Sequence, residues 1–297
     1  MAKVAIMTDS NSGITQNEGK ELGITVVPMP FNIDGEEYLE DITLTQEGFY
    51  QKLQSGAKVS TSQPSIGYVG SLWDELLQSY DQVVYIPMSS GLSKSCESAA
   101  NLAKDKYEGK VFVVDNQRIS VTQRQSVLDA IQLANYGYDG AQIKEKLLEI
   151  KFDSDIFIMV DTLDYLKKGG RITPAAAALG GMLKLKPILL IKGEKLDKFR
   201  MRNRSVENAK EIMLNACLEK INGYLKDKDG RTDNIYYEVA YSGTDRTEAE
   251  EFIKMIKANV GEVDVHCDPL SLSVSCHIGP GSLAMAICKK MPDDWLK

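Results

Sequence analysis

Histidine is scarce in this chain: 297 residues hold only His266 and His277. The five cysteines (Cys96, Cys217, Cys267, Cys276, Cys288) show neither a C-x-x-C pair nor zinc-ligand spacing. Such a scattered set reads as reduced core thiols in a reducing compartment, so no metal site is expected. Neither G-x-x-x-x-G-K-[ST] nor a G-x-G-x-x-G after the first strand is present, which argues against a nucleotide phosphate as ligand. A charge breaks every longer apolar run, and the opening MAKVAIMTDS lacks the apolar core of a signal peptide. A soluble protein located in the cytoplasm is the expectation. With a net charge of −7 the chain also lacks the basic excess that nucleic acid demands, so none is expected as partner. One stretch departs from the acidic balance. Between Asp164 and Arg204 eleven Lys or Arg face three acidic residues. A solvated face is the plain explanation, and a docking surface for an acidic partner or anionic lipid is the sharper one.

Catalysis finds equally little support. Tyr241-Ser242-Gly243 lacks the glycine two places before the serine that a nucleophile elbow needs. Cys276 and His277 are adjacent, and neighbours on a strand point to opposite faces, a poor nucleophile–base arrangement. No catalytic residue is therefore assigned and no cofactor is expected. The competing enzymatic reading is a small-molecule hydrolase or phosphotransferase subunit using Ser93 or His277.

What is present is an α/β pattern. At 43% hydrophobic and 26% charged the composition is that of a globular protein, and the length suits one large domain or two ordinary ones. Apolar runs at Val4–Met7, Thr25–Pro30, Val83–Ile86, Val111–Val114, Ile156–Val160, Ile188–Ile191 and Ile235–Ala240 read as strands buried on both faces. Helical patterns lie between them at Ile66–Gln78, Ser93–Lys106, Thr122–Asn135, Gly140–Glu149, Ser205–Leu225 and Thr244–Ala258, with Ser65, Asp139, Ser205 and Thr244 as N-caps. This alternation predicts a mostly parallel sheet. A boundary near residue 160 divides the chain into an N-terminal α/β domain, residues 1–160, and a smaller C-terminal α/β domain, residues 161–297. The polar piece Asp34–Ser60 reads as a short hairpin and helix over the first domain, and Leu283–Lys289 as a last helical run.

Hydroxyls crowd the places where strands end. Thr8-Asp9-Ser10 closes the first strand, while Ser60-Thr61-Ser62-Gln63-Pro64 and Ser89-Ser90-Gly91-Leu92-Ser93 each precede a helix. In an open α/β sheet that is where ligands bind, and short hydroxyls beside helix N-termini suit an uncrowded anion. Capping alone would explain any one cluster; three together point to a site. The loop His277-Ile278-Gly279-Pro280-Gly281-Ser282 adds a donor and close backbone approach. In Thr173–Lys186, Thr173 caps and Pro174 opens a helix of little side-chain bulk. It reads equally as a close-packing helix or as room for an apolar guest, with Met159 and Met182 as an adaptable wall.

Taken together, Thr8-Asp9-Ser10, Ser60–Pro64, Ser89–Ser93, Tyr165–Arg171 and His277–Gly281 resemble, in order and over nearly the whole chain, the motifs of the DegV family of fatty-acid-binding proteins. The resemblance implies two α/β domains with a long-chain fatty acid lying between them. It implies a carboxyl group held by Thr61 and Ser93 with His277 close to the headgroup, Ser62, Gly279 and Arg171 as secondary ligand-site residues, and Arg171 and Arg202 near the mouth of the site or on the kinase-facing surface. It further implies a non-enzymatic carrier that presents the acid to a fatty acid kinase for acyl-phosphate formation, with transient contact to a membrane surface. Two departures stand out: Lys94-Ser95-Cys96 where the family has G-T-Y, and Ser282 where it has alanine. A chain of about sixteen carbons gains on the order of 10 kcal/mol by leaving water, so such a carrier has to enclose the tail.

Overall fold

The computed structural model describes residues 2–178 and 185–297. The chain opens with β1 (Val4–Asp9), α1 (Gln16–Leu22) and β2 (Thr25–Val27). A hairpin of β3 (Pro30–Ile33) and β4 (Glu36–Leu39), helix α2 (Gln46–Gln54) and β5 (Val59–Thr61) follow. Next come α3 (Ile66–Leu76), β6 (Gln82–Ile86), α4 (Ser95–Lys106), β7 (Val111–Val113), α5 (Val121–Asn135) and α6 (Gly140–Glu149). The later half carries β8 (Ser154–Met159), the short α7 (Asp164–Gly169) and α8 (Pro174–Ala177), β9 (Ile188–Ile191), β10 (Asp197–Arg200) and α9 (Val206–Lys220). It closes with β11 (Ile235–Tyr241), α10 (Thr247–Val260), β12 (Val265–Pro269), α11 (Leu272–Ile278) and β13 (Leu283–Lys289).

The first sheet is parallel throughout, in the order β2-β1-β6-β7. Its strands are apolar on both faces because both faces are covered. Ile6, Val84 and Ile86 meet Val127, Ala130 and Leu133 of α5 and Ile143 and Leu147 of α6. On the other side Met7, Val83 and Tyr85 meet Val69 and Trp73 of α3 and Ala99 and Ala103 of α4. Met291 and Trp295, from beyond β13, complete the α5–α6 side, where Tyr138 Oη donates to the Trp295 carbonyl at 2.9 Å.

The second sheet is mixed, in the order β10-β9-β8-β13-β11-β12, with only β11 and β12 parallel. One face, built from Phe157, Met159, Val239, Met285 and Ile287, packs under α9 and α10. Lys210 of α9 is buried between these helices and pairs with Glu207, Glu248 and Glu251 at 3.4, 2.7 and 2.9 Å. The opposite face presents Ile156, Ile158, Leu189, Ala240, Ala284 and Ala286 toward the first sheet. β8 belongs to this second sheet, so we propose the division between the two units in the turn just ahead of it, several residues before position 160.

The 34–60 segment forms the hairpin and helix expected of it. Asp34 and Gly35 take positive φ (51° and 95°), as a two-residue hairpin turn requires. Its three-stranded sheet, β4-β3-β5, packs through Phe31, Phe49 and Tyr50 against Leu272 and Cys276 of α11, so it bridges the two units.

Several sequence expectations are corrected. Leu283–Lys289 is a strand: its L-A-M-A-I alternates bulky and small residues with period two, and the two sets face opposite sides of the sheet. Cys276 and His277 lie on helix α11 instead of a strand. Thr244 caps nothing; α10 begins after Arg246, and Asp245 accepts from the Thr247 N–H at 2.9 Å. Thr173 does cap α8, accepting from the Ala176 N–H, but the described helix ends at Ala177, and Met182 lies outside the described residues. Among the described residues no helix is long and apolar enough to cross a membrane.

Candidate functional site

A cavity of about 220 Å³ lies between the two sheets, more than ten times what one water needs. Its walls are mostly apolar. Met29, Met88, Leu92 and Ile119 contribute from loops at the carboxyl ends of the first sheet, and Val121 from the start of α5. Ile156, Ile158, Ile191, Ala240 and Ala284 contribute from the second, and Leu270, Val274, Ile278 and Leu166 close the remaining side. The methyl groups of Ala240 and Ala284 are cross-strand partners and leave the sheet surface shallow at that point. Met159 faces the other side of its sheet, so the adaptable methionine wall is made by Met29 and Met88 instead.

One group of polar residues gathers around Thr61 and His277. Thr61 ends β5 and its Oγ1 lies 2.8 Å from His277 Nε2 on α11, a hydrogen bond between residues 216 apart in sequence. The His277 ring is held neutral well into acid, with a pKa near 4, because burial disfavours the imidazolium and the Arg171 guanidinium repels it. Arg171 itself is fixed by two carbonyls, Nε donating to Leu92 O at 3.2 Å and a terminal nitrogen to Gly169 O at 2.5 Å. Ser93 stands just before α4 and accepts from the Ser95 N–H at 3.2 Å. Its loop is tied to the second sheet, for Ser89 Oγ donates to Gly193 O at 2.5 Å. At Gly91 a side-chain carbon would sit 2.6 Å from Glu194 Cα, so only glycine fits there. Ser62, Gln63 and Lys94 are exposed and line the cavity where it meets solvent.

The structure thus brings Thr61, Ser62, Ser93, Arg171 and His277 to one cavity. Gly279 is not on its wall. It has φ 78° and packs under the Tyr165 ring, while its carbonyl accepts from Ser242 Oγ at 2.6 Å, so it shapes the His277 loop from behind. Arg202 is exposed and away from the lining. Of Thr8-Asp9-Ser10, none reaches the cavity. Asp9 is fully buried, accepting from the backbone of Asn11 and Met88 and from Gln123, and burial raises its pKa. Ser10 donates to the buried Glu40, whose pKa burial pushes up to about 7 and which also takes the Leu272 N–H. This cluster clamps the two units together instead of holding a headgroup. The sequence reading also passed over Asn11, Ser120 and Ser273, which do line the cavity, and the alanine pair on β11 and β13.

Gly169 offers a direct check of the His277 placement. A methyl group there would collide with the imidazole ring, although α7 itself tolerates or prefers alanine. Gly169→Ala is therefore expected to break the Thr61–His277 bond, with cooperative unfolding retained. The His277 imidazole resonances of the two proteins, compared by NMR, check it.

Residues 3–290 match the model of a family described as uncharacterised proteins of the DegV family. A DegV domain-containing protein of Deinococcus radiodurans is 29% identical over 96% of this chain and 98% of its own length. Among solved structures, a DegV family protein from Thermus thermophilus described by its fatty acid binding superposes with a TM-score of 0.86 at 29% identity, covering 97% of this chain and 99% of the other. DegV from Bacillus subtilis, described as a fatty acid binding protein, gives 0.85 at 27%, covering 98% and 100%. A stearic-acid-binding protein from Eubacterium ventriosum gives 0.84 at 25%, covering 98% and 99%.

Proposed function

The chain belongs to the DegV family, and from that premise we propose that it carries a long-chain fatty acid, tail enclosed in the cavity between its sheets and carboxyl group on Thr61 and Ser93. The single observation behind this reading is the cavity's composition: an apolar slot that meets the hydroxyls of Thr61, Ser62 and Ser93, with His277 and Arg171 beside them, near solvent. Neutral His277 with its proton on Nε2 donates to Thr61 Oγ1, which frees the threonine O–H to donate to the carboxylate. Ser93 supplies the second donor beside the N-terminus of α4, whose dipole favours negative charge. Arg171, oriented by its bonds from Nε to Leu92 O and from a terminal nitrogen to Gly169 O, adds a fixed positive charge and keeps further N–H donors for the headgroup.

A grip made of hydroxyls favours hand-over. In our reading the carboxyl end, bordered by exposed Ser62, Gln63 and Lys94, is presented to a separate fatty acid kinase that phosphorylates it, and the protein itself catalyses nothing. The exposed cations Lys195, Lys198, Arg200, Arg202 and Arg204 give that acidic partner, or briefly an anionic membrane surface, something to meet.

Mass spectrometry of an organic extract of the purified protein tests the first half; repeated absence of lipid would count against it. For the second half, Thr61→Ala combined with Ser93→Ala is expected to weaken fatty-acid binding on the order of a hundredfold, since two charge-assisted hydrogen bonds are lost. Unchanged affinity in that pair would refute the carboxyl assignment.

A further inference from the structure

Ser120 occupies the capping position of α5, yet it does not cap. Its side chain makes no hydrogen bond to the helix, and among the described residues its hydroxyl has no partner at all. The residue is only 8% exposed, and it lines the cavity. Its backbone has φ 55° and ψ −139°, a conformation that side chains disfavour and glycine adopts freely. That turn is held in place because the Ser120 N–H donates to the Asn11 carbonyl at 2.9 Å and the Ser120 carbonyl accepts from Arg124 N–H at 2.9 Å. In the first turn of the fifteen-residue α5 the Gln123 and Arg124 N–H groups donate to the Ile119 and Ser120 carbonyls, so it is the Val121 and Thr122 N–H groups that no preceding carbonyl reaches, with Val121 on the cavity wall.

A second polar element adjoins it. The Asn11 side-chain oxygen accepts from Ser271 and Ser273 at 3.1 and 2.5 Å, which fixes the amide. Its nitrogen is turned toward Met88 Sδ, a weak acceptor at 2.9 Å, and toward the Asp9 carboxylate. Ser273 precedes His277 by four residues on α11, so this patch sits about 6 Å along that helix from the carboxyl cluster. An unbranched hydrocarbon chain passing here would leave the Ser120 hydroxyl unpaired. A chain oxygen would satisfy it.

We propose that Ser120 and the opening turn of α5 form a second polar subsite, and that the preferred ligand is a long-chain fatty acid carrying an oxygen, most simply a hydroxyl, along its chain. This rests on the fatty-acid reading above and specifies the ligand further. A chain hydroxyl accepts from a helix N–H and donates to Ser120 Oγ, so both partners are satisfied. Elsewhere in the slot the same hydroxyl would lose its water for nothing.

The test uses delipidated full-length protein, stearic acid, and a series of monohydroxystearic acids differing in hydroxyl position, each displacing a fluorescent fatty acid. One positional isomer is expected to bind at least as tightly as stearic acid, while the others bind roughly tenfold weaker. Ser120→Gly removes the hydroxyl and relieves the backbone; Ser120→Ala removes the hydroxyl and keeps the backbone restraint. In both, the preference for the favoured isomer over stearic acid is expected to fall roughly tenfold. Uniform weakening of every hydroxy acid, or a preference that survives both substitutions, overturns the subsite and leaves stearic acid binding standing. Failure of stearic acid and every isomer to bind sinks the parent reading, and this one with it.

Discussion

A leucine at Ala240 is expected to lower the affinity for a long-chain fatty acid about fiftyfold, while a chain three or four carbons shorter binds nearly as before. The reason is volume. Ala240 is buried on the cavity face of β11, and its cross-strand partner on β13, Ala284, leaves the same shallow patch. Leucine adds three carbons to that face, so about three methylenes of the guest are excluded, at roughly 0.8 kcal/mol each. Because the added side chain fills a void and displaces no packed neighbour, thermal stability should hold. Affinities measured across a series of saturated acids check the claim. A loss that is equal at every chain length would mean distortion of the site instead of a shortened slot, and would sink the assignment of this wall to the tail.

Glu238→Gln is expected to stabilise the protein above about pH 8 by several kcal/mol and to have little effect near pH 4. Glu238 stands on β11 facing α5, 3% exposed, and accepts from the Cys288 thiol at 3.3 Å. Burial, opposed in part by that thiol and by Arg118 and reinforced by Asp129, raises its pKa from 4.5 to about 8. Asp129 on α5 is raised to about 6, again chiefly by burial, against the pull of Arg118 and Gln125. Both groups hold their protons longer in the folded state than in the unfolded one. Their protonated forms therefore favour folding at low pH, and stability falls as pH rises from about 4.5 to about 8. The gap from 4.5 to about 8 corresponds to on the order of 5 kcal/mol for Glu238. Glutamine mimics the protonated form and removes Glu238's share of the slope, leaving those of Asp129 and Glu40. Denaturant midpoints of both proteins between pH 5 and about pH 9 decide it, and parallel curves would mean that Glu238 ionises freely in the native state.

Much of this was legible in the residues because buried parallel strands leave an unmistakable pattern. Val83–Ile86 and Val4–Met7 read as strands from their apolar runs, and Asp139 as a helix cap ahead of Gly140–Glu149, to which the structure adds a reciprocal capping pair with Gln142. Thr61, Ser93 and His277 were legible as chemistry, though from motif and not from geometry. What stayed hidden lived in tertiary placement. The hydroxyls of Thr8 and Ser10 look the same in sequence as those of Thr61 and Ser93, and only the fold turns the first pair inward to Ile86 and Glu40. The run Leu283–Lys289 reads as helical because its alanines suit a helix, whereas its period-two alternation of bulky and small residues is what the strand obeys. Ser120 carried no sequence signal at all, since a serine ahead of a helix ordinarily caps it.

The return of Met291 and Trp295 to the face of the first sheet has a consequence for how the polypeptide is made. Emerging from the ribosome, that sheet with α5 and α6 would lack the contacts of Met291 and Trp295 until everything up to position 295 had been synthesised. The unit that appears first is therefore finished last, and the later half has to assemble beside a neighbour that still misses part of its core.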